Sequence, residues 1–332
     1  MSRLRLLTLN CHEAWIYQLR HLDCSLDIVD GLPGRYVSQW DTRMRPFPPN
    51  ARRVELSEVL QSAELYDCAI AHNITDLIAI ESLQCPKLLI LHTSLEHRAA
   101  QEKSTITPAQ FAGATAEYLS RIGGHAAAGT EFKAKSWGIT RDVIGLAIEP
   151  SLYKWTGSVA SGLRVANQIL NKQQTLAFEF HKNAFTNIPI RIVGFNPGIP
   201  GAEPSRDFDD LARLYASHRF FVHTADPRLE DGYNMAAVEA MAAGMPVIGN
   251  SHPSSPVENN KSGFLSSNPA EAGAFATKLL NDISLAQTLG EAARERILQM
   301  FPVERFVTNL ERAIETAQSK FVKKQKRITI LK

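Results

Sequence analysis

Short, almost continuously apolar segments alternate with longer segments of helical periodicity along most of the chain. Strands that are apolar on both sides are typical of parallel sheets, because helices cover both faces of such sheets. The alternation therefore predicts doubly wound α/β layers. We predict strands at Leu4–Leu9, Ser25–Val29, Cys68–Ala71, Lys87–Leu91, His125–Gly129, Leu163–Ala166, Ile190–Val193, Phe220–His223 and Pro246–Ile248.

Helical periodicity and Pro-rich breaks divide the rest of the chain. The Pro-rich stretches 40–55 and 196–207 lack periodicity, and we interpret both as loops. Another aperiodic stretch, 145–162, is rich in Gly, Ser and Pro, and we interpret it as an interdomain linker. We predict helices at 57–65, 108–121, 131–137, 172–184, 207–216, 234–243, 270–281, 284–300 and 302–319.

The bulk properties exclude several classes of protein. A net charge of +2 gives no reason to expect nucleic-acid binding. No segment approaches the ~20 apolar residues that span a bilayer, and the first apolar run is too short for a signal peptide. We expect no metal site, because there is no HExxH motif and no cysteine cluster. Buried free thiols, typical of a reducing compartment, are expected at Cys11, Cys24, Cys68 and Cys85.

The segment EDGYNMAAVEAMAAGMPVIGN, residues 230–250, is the strongest candidate for a functional site. A second carboxylate, Glu239, follows eight residues after Asp231. If 234–243 is helical, the two acids are offset by roughly 12 Å along the axis and about 80° around it. That separation suits a ligand with a sugar at one end and a nucleoside at the other.

The N-terminus of this predicted helix is a candidate binding site for an anionic group of the ligand. The N–H groups and the helix dipole at Tyr233, Asn234 and Met235 favour phosphate. Gly232 lets the backbone approach a ligand closely. The simpler interpretation is a capped helix with a solvated glutamate, and these residues by themselves leave both interpretations open.

The same segment resembles the signature of retaining GT-B glycosyltransferases of family four, typically EGFGLxxLEAMAxGxPVI. Aligning the glycines places Asp231 at the first acid, which contacts the donor sugar in that family. Glu239 then stands at the second acid, which binds the ribose of the nucleotide. Glu230 is the alternative first acid, because Asp231 is one methylene shorter than the usual Glu. Tyr233 and Asn234 replace the usual Phe and Gly.

The resemblance covers roughly residues 68–315. The segment 259–306 is similar to the end of the family's second domain, and 125–139 and 143–153 are similar to elements of its first. The resemblance implies a GT-B architecture, with two Rossmann-like domains facing a cleft. We therefore expect an N-terminal acceptor domain, a C-terminal nucleotide-sugar-binding domain, a helix returning to the first domain and a basic tail, at 1–148, 149–303, 304–319 and 320–332.

An arginine and a lysine bind the diphosphate in this family, just after the first strand of the second domain. Lys172 stands at the position of that lysine, where a point charge suits a diphosphate. Asn167 stands where the arginine is expected, and Arg164 nearby is a candidate replacement. The simpler interpretation of Lys172 is a solvated lysine at the start of a helix.

Histidines follow two predicted strands of the first domain, at the carboxyl ends where ligands of parallel sheets gather. In the family, a histidine at the place of His92 faces the donor sugar. His72 and His97 are weaker candidates, and a structural role is the alternative for each. The loop after the first strand lacks the family's glycine pair and has His12 and Glu13 instead, either an acid/base pair or a helix start. Asn10 and Trp15 would line the same place.

The segment SHPSSPVE, 251–258, stands where the family has a glycine pair. Ser254 and Ser255 are candidates to cap a helix whose N-terminus faces phosphate, or to cap it without a ligand. The basic tail from Lys320 suits either a disordered terminus or contact with an anionic membrane.

These patterns predict a retaining, metal-independent glycosyltransferase without a cofactor, which moves a hexose from a donor such as a UDP- or GDP-sugar. The expected acceptor is a hydroxyl of a glycan, a lipid-linked molecule or a small molecule, as in cell-envelope polysaccharide synthesis. We expect a cytoplasmic protein, or one peripheral on the inner face of the membrane. Another GT-B enzyme, such as a nucleotide-sugar epimerase, and a catalytically weak nucleotide-sugar-binding protein remain as alternatives.

Overall fold

The computed structural model divides into two compact units. The N-terminal unit contains Met1–Ala147 and Val303–Lys332, and the C-terminal unit contains Ile148–Pro302. The boundary between the units falls within the predicted linker 145–162, whose residues 150–153 lie outside the described residues and whose last residues, 159–162, belong to a strand. The structure describes residues 3–32, 39–62, 64–102, 106–149 and 154–330.

A six-stranded parallel sheet forms the centre of the N-terminal unit, in the order β3-β2-β1-β4-β5-β6. The central strands β1, β4 and β5 are almost completely buried, which explains their continuously apolar sequences. The strands are β1 Leu4–Leu9, β2 Cys24–Val29, β3 Ala51–Val54, β4 Cys68–Ala71, β5 Lys87–Leu91 and β6 His125–Ala128.

Helices cover this sheet and bury its apolar residues. The helix that precedes β6 begins with a capping box of Thr107 and Gln110 and ends at Gly123, whose φ of 68° is the left-handed conformation that glycine adopts most easily. The helices are α1 Glu13–Ile16, α2 Leu56–Gln61, α3 Ile74–Ala79, α4 Leu95–Glu102, α5 Pro108–Ile122 and α6 Glu131–Trp137.

The C-terminal unit contains a second parallel sheet, of five strands in the order β11-β10-β9-β7-β8. Its core joins the strands to the helices α7, α10 and α11. The strands are β7 Val159–Val165, β8 Ile190–Val193, β9 His218–His223, β10 Val247–Asn250 and β11 Gly263–Ser266. The helices are α7 Phe178–Ala184, α8 Phe208–Ser217, α9 Met235–Ala243, α10 Pro269–Asn281 and α11 Ile283–Met300.

The last helix, α12 Val303–Ile330, packs against β4, β5 and β6 of the N-terminal unit. Phe306, Leu310 and Ile314 are buried at the predicted four-residue spacing. The helix continues past Ser319, where we predicted its end, because no Gly or Pro interrupts the basic segment that follows. Residues 331–332 of the predicted tail lie outside the described residues. In the described part of the chain, no helix is long and apolar enough to cross a membrane.

Three predictions of local structure were wrong. Strand β3 lies within the predicted loop 40–55, because its sequence ARRV is stabilised by pairing with β2 and by the ion pair of Arg52 with Asp27, not by apolar burial. Strand β11 was not predicted. The predicted helix 172–184 begins at Phe178, because Ala177 adopts a left-handed φ of 41° and a 3-10 turn ends at Lys172.

Candidate functional site

The predicted donor-site residues of the C-terminal unit follow three strands that are neighbours in its sheet. Strand β9 lies between β7 and β10, and all three are parallel. Their carboxyl ends therefore lie at one edge of the sheet. Lys172 follows β7, the acidic segment Glu230–Asp231 follows β9, and Ser254 follows β10.

Helix α9 begins one residue later than predicted, at Met235. Asn234 has an extended backbone and caps the helix, because its Oδ1 accepts a hydrogen bond of 2.8 Å from the N–H of Ala237. Asp231 therefore lies outside the helix, and the offset expected between Asp231 and Glu239 from a continuous helix does not apply. Asp231 is almost completely buried, whereas Glu239 is partly exposed and accepts a hydrogen bond of 3.3 Å from the Tyr215 hydroxyl.

Gly232 is required by its protein neighbours, in addition to any ligand. Its N–H donates to the Ser254 hydroxyl at 2.9 Å. A Cβ at this position would lie 2.6 Å from His252 Nδ1 and 2.7 Å from the N of Ser255. The glycine thus allows the acidic segment to pack directly on the loop after β10.

The loop after β10 holds the acidic segment through a short hydrogen-bond network. The Nε2–H of His252 donates to the carbonyl oxygen of Glu230 at 3.0 Å, and its Nδ1 accepts from the N–H of Ser254 at 3.2 Å. Burial lowers the pKa of His252, which favours this neutral form. These bonds fix the backbone on both sides of Asp231.

The prediction that Ser254 and Ser255 cap a helix was wrong. No helix follows them: the next described element is strand β11. Pro253 and Pro256 disfavour helical backbone in the residues that precede them. The Ser254 hydroxyl instead accepts from Gly232, and the Ser255 hydroxyl accepts from the N–H of Val257 at 3.2 Å.

Lys172 ends a 3-10 turn that follows β7, rather than beginning a long helix. It is partly buried, and burial lowers the pKa of its ammonium group while the Glu230 carboxylate raises it. Lys172 and Glu230 therefore act on each other electrostatically, although 58 positions separate them in the chain. Such a partly desolvated cation is a suitable partner for a phosphate group.

Asn167 and Arg164 form contacts within the protein. The Oδ1 of Asn167 accepts from the N–H of Phe195 at 2.8 Å, which joins the loops after β7 and β8. Arg164 is buried and donates to the Thr224 hydroxyl at 2.9 Å and to the Leu176 carbonyl at 3.1 Å. Burial lowers the pKa of Arg164 to about 10. Arg164 is thus held by contacts within the protein, and its role as a replacement for the expected phosphate-binding arginine stays a prediction.

Two histidines of the C-terminal unit contribute to the site but were not among the predicted site residues. His252 holds the acidic segment, as described above. His223 ends β9, is buried, and lies close enough to the backbone of Asp231 for that backbone to raise its pKa. Burial, with the charge of Arg164, lowers the pKa of His223 to about 4. The position of His223 at the carboxyl end of a predicted strand was the signal available in the sequence.

The predicted histidines of the N-terminal unit lie together. His72 and His92 follow β4 and β5, and His72 Nδ1 lies 2.8 Å from His92 Nε2. The ring of His12 stacks on His92 at 5.3 Å, and Trp15 contacts both His72 and His92 edge-on. The loop after β1 therefore meets the ends of two other strands, as its position predicted.

His12 and Glu13 direct their hydrogen bonds to different groups. His12 Nδ1 accepts from the N–H of Trp15 at 3.2 Å and caps α1. Glu13 is buried and accepts from the N–H of Asp41 at 2.6 Å. Asn10 donates to Asp30 at 3.0 Å. These contacts favour the helix-start interpretation of Glu13 over an acid/base pair with His12.

The open cavity of the N-terminal unit does not contain the predicted donor site. An open cavity of about 560 Å³ lies between α6 and α12 of the N-terminal unit, and none of the predicted site residues lines it. His97 is buried in the first turn of α4, where its backbone N–H donates to the Ser94 hydroxyl at 3.0 Å. Among the described residues, no group of three His, Cys, Asp or Glu is placed to hold a metal ion.

The chain resembles one family model and several solved structures. Residues 196–283, which include the acidic segment, match the model of the family "Glycosyl transferases group 1". No curated protein matches the sequence. The Anabaena protein HepE, solved with UDP and glucose, has 15% sequence identity and a TM-score of 0.66, and the alignment covers 94% of this chain and 99% of that one.

Two further structures show the same fold at similarly low identity. Sucrose-phosphate synthase from Thermosynechococcus elongatus has 14% identity and a TM-score of 0.64, covering 93% of this chain and 98% of that one. TarM from S. aureus, solved with UDP and a GlcNAc-glycerol, has 15% identity and a TM-score of 0.60. That alignment covers 78% of this chain and only 58% of TarM.

The two parallel-sheet α/β units and these neighbours are consistent with the GT-B architecture. Together with the family match, they support a GT-B glycosyltransferase. The predicted fold class is confirmed. The retaining mechanism, the family number and the roles of individual residues stay predictions.

Proposed function

We propose that the protein is a retaining glycosyltransferase, which moves a hexose from a nucleotide-sugar donor to a hydroxyl acceptor without a metal ion. The observation that carries the proposal is the position of Lys172 and of the acidic segment Glu230–Asp231 after the neighbouring parallel strands β7 and β9, at one edge of the C-terminal sheet. It brings a cation to the acidic segment that lies within the family match. A nucleotide sugar needs a cation to bind its anionic diphosphate and a carboxylate to bind the hydroxyls of its sugar.

In the proposed complex, Lys172 and the N-terminus of α9 at Tyr233, Asn234 and Met235 stabilise the leaving diphosphate. The carboxylate of Asp231 or Glu230 orients the sugar hydroxyls. These groups favour an oxocarbenium-like state as the anomeric bond loosens. The leaving phosphate then assists the incoming hydroxyl on the same face, so that the anomeric configuration is retained.

Glu239 binds the ribose hydroxyls in this proposal. The Tyr215 hydroxyl supports it, because its hydrogen bond holds the carboxylate in one orientation. His252, Ser254 and Gly232 likewise hold the acidic segment Glu230–Asp231 in one position. Their mutual contacts hold the acidic segment before a ligand arrives, which reduces the cost of ordering on binding.

The acceptor and the place of action are further parts of the proposal. We assign the donor nucleotide mainly to 149–303 and the acceptor to 1–148, and we expect a glycan, lipid-linked or small-molecule hydroxyl of the kind used in cell-envelope polysaccharide synthesis. The protein would act in the cytoplasm. The basic segment 320–330 would hold it on the anionic inner face of the membrane, since each Lys or Arg near such a surface contributes about 1 kcal/mol.

Calorimetric titration with a panel of UDP- and GDP-sugars tests donor binding. We expect one of them to bind, and Lys172→Met to weaken its binding at least tenfold, which corresponds to about 1.4 kcal/mol. Lys182→Met is the matched control, because Lys182 is exposed on α7 of the same unit and pairs with Glu179. Equal affinities of the two variants would contradict the proposed role of Lys172.

Three carboxylate variants separate the roles of the acids. Glu239→Gln is expected to raise the Kd for both the nucleotide and the nucleotide sugar. Asp231→Asn and Glu230→Gln identify the sugar-orienting acid, since only that variant should lower turnover while leaving binding of the free nucleotide diphosphate intact. Unchanged turnover and affinity in all three would contradict the site.

A nucleotide-sugar-binding protein with weak or no catalysis is the second candidate. It is favoured by the contacts of Asn167 and Arg164, since Asn167 carries no charge and Arg164 is held by contacts within the protein. Binding of a nucleotide sugar without transfer to any hydroxyl acceptor or to water would support this candidate over the enzyme.

A further inference from the structure

A chain of hydrogen bonds crosses the carboxyl edge of the N-terminal sheet, from a strand carbonyl to the partly exposed His92. The Thr8 hydroxyl lies 3.2 Å from the carbonyl oxygen of Ile70 and 2.7 Å from His72 Nε2. His72 Nδ1 lies 2.8 Å from His92 Nε2. Thr8 and His72 are buried, so solvent does not compete for these contacts.

The number of available protons fixes which group donates and which accepts in each of these hydrogen bonds. A carbonyl oxygen only accepts, so the single Thr8 proton points to Ile70 and the Thr8 oxygen accepts from His72 Nε2–H. Neutral His72 then has a lone pair on Nδ1 and accepts from His92 Nε2–H. His92 Nδ1 is therefore the unprotonated nitrogen. With neutral rings, this is the one arrangement that makes all three contacts hydrogen bonds.

The surroundings keep both rings neutral. Burial, with a contribution from His12, lowers the pKa of His72 to about 3. Burial also holds the pKa of His92 well below its usual range, and His72, His12 and Lys133 lower it further. The nearby carboxylate of Asp76 accepts from the backbone N–H of His72 at 3.0 Å and not from its ring.

We propose that Thr8 and His72 are positioning residues that make His92 Nδ1 a fixed hydrogen-bond acceptor for a substrate hydroxyl. No hydrogen bond from another described residue reaches this nitrogen, and His92 is partly exposed, so a ligand has access to it. A lone pair attracts the O–H of a neutral sugar and repels a carboxylate or a phosphate. The choice of a sugar as ligand rests on the proposed function, whereas the tautomer does not.

The tautomer is measurable without any substrate. Long-range 1H–15N correlation spectra of the imidazole rings distinguish a protonated nitrogen from an unprotonated one, and the loss of one set of signals in His92→Gln identifies His92. We expect His92 to carry its proton on Nε2 at neutral pH. A proton on Nδ1 would overturn the proposal, whatever the protein's activity.

Thr8 offers a matched pair of variants. Thr8→Val keeps the shape but removes the hydroxyl, so His72 loses the acceptor that fixes its proton on Nε2. His72 can then donate to His92, and the proton of His92 shifts toward Nδ1. Thr8→Ser retains the hydroxyl and is expected to leave the spectrum unchanged. The same His92 tautomer in the wild type and in a folded Thr8→Val would overturn the role of Thr8. Should Thr8→Val not fold, the wild-type spectrum still decides the tautomer.

Turnover provides a readout that general damage to the fold would not reproduce. With a neutral hexose donor, we expect Thr8→Val to lower kcat/KM about tenfold and Thr8→Ser less than about threefold. With the corresponding uronic-acid donor, Thr8→Val should lose less, because a protonated Nδ1 no longer repels the carboxylate. Equal losses for both donors would contradict the specificity. A protein that binds no nucleotide sugar, but shows the expected spectrum, would refute the proposed function and leave the tautomer intact.

Discussion

Glu13 makes the stability of the N-terminal unit depend on pH. The pKa of its carboxyl is raised from an ordinary value of 4.5 to about 7, mainly by burial and to a smaller extent by the Asp41 and Asp30 carboxylates. The hydrogen bond from the Asp41 N–H and the charge of Arg45 act in the opposite direction. Above pH 7, the folded protein therefore keeps a buried carboxylate without an ion-pair partner of comparable effect.

The direction of the effect follows from proton binding. Between pH 4.5 and about 7, Glu13 is protonated in the folded chain and ionised in the unfolded chain. The folded state then binds more protons, so the free energy of unfolding falls as the pH rises. With about 1.36 kcal/mol for each unit of pKa, the loss from pH 4 to pH 8 is about 3 kcal/mol. Glu13→Gln removes this loss while retaining an oxygen that accepts from Asp41.

Urea unfolding of the full chain at pH values from 4 to 8 tests this prediction. Relative to the wild type, Glu13→Gln should have about the same stability at pH 4 and be about 3 kcal/mol more stable at pH 8. Glu58→Gln is the control, since Glu58 is exposed on α2 of the same unit. NMR titration of the Glu13 carboxyl carbon gives its pKa directly. Parallel stability curves for Glu13→Gln and the wild type, or a midpoint near 4.5, would refute the reasoning.

Two further predictions concern packing and charge. Gly232→Ala should weaken nucleotide-sugar binding and destabilise the C-terminal unit by about 1–3 kcal/mol, since its methyl group would overlap His252. Gly113→Ala is the control and should stabilise the protein by about 0.5–1 kcal/mol, because no atom lies close to this position on α5. Equal melting temperatures of the two variants would contradict both expectations. Burial raises the pKa of Asp27, but the hydrogen bonds that it accepts from Arg52, Tyr66 and Arg5 outweigh burial, so that the pKa is lowered. Asp27→Asn should therefore destabilise the protein by about 3 kcal/mol. The contribution of ionised Asp27 to stability is fully present above the pKa of an unfolded Asp and is lost as the pH falls through the lowered pKa of the folded protein. Acid unfolding of the wild type and of Asp27→Asn at the same pH would refute this prediction.

The strands were predictable where burial alone determines them. Leu4–Leu9, Cys68–Ala71 and Lys87–Leu91 have the predicted bounds, because an apolar run in a parallel sheet must be covered on both faces. The edge strand Ile190–Val193 also has the predicted bounds, although only Val193 is buried. Strand β3 was not predictable in this way, since an edge strand with two arginines has no apolar signal. Its pairing partner and the carboxylate of Asp27 come from elsewhere in the chain.

The acidic segment shows the same limit at the site. Its sequence, set beside the family resemblance, identified the position of the site and the start of a helix near Asn234. It did not show that Gly232 packs on His252, or that the serines of that loop hold a backbone N–H instead of capping a helix. Those contacts join residues about twenty positions apart, and local sequence does not encode which distant group a side chain meets.

The sequence by itself determined the alternation of strands and helices and most of the strands, though not β3 and β11, and hence the two parallel sheets at whose carboxyl edges the candidate residues lie. Periodicity and apolar runs are local properties, and each element carries its own signal. Only the tertiary structure decided which groups meet: Gly232 with Ser254, and His72 between Thr8 and His92. The charge, the burial and the proton position of a side chain depend on such contacts, because they are set by neighbours in space and not by neighbours in the chain.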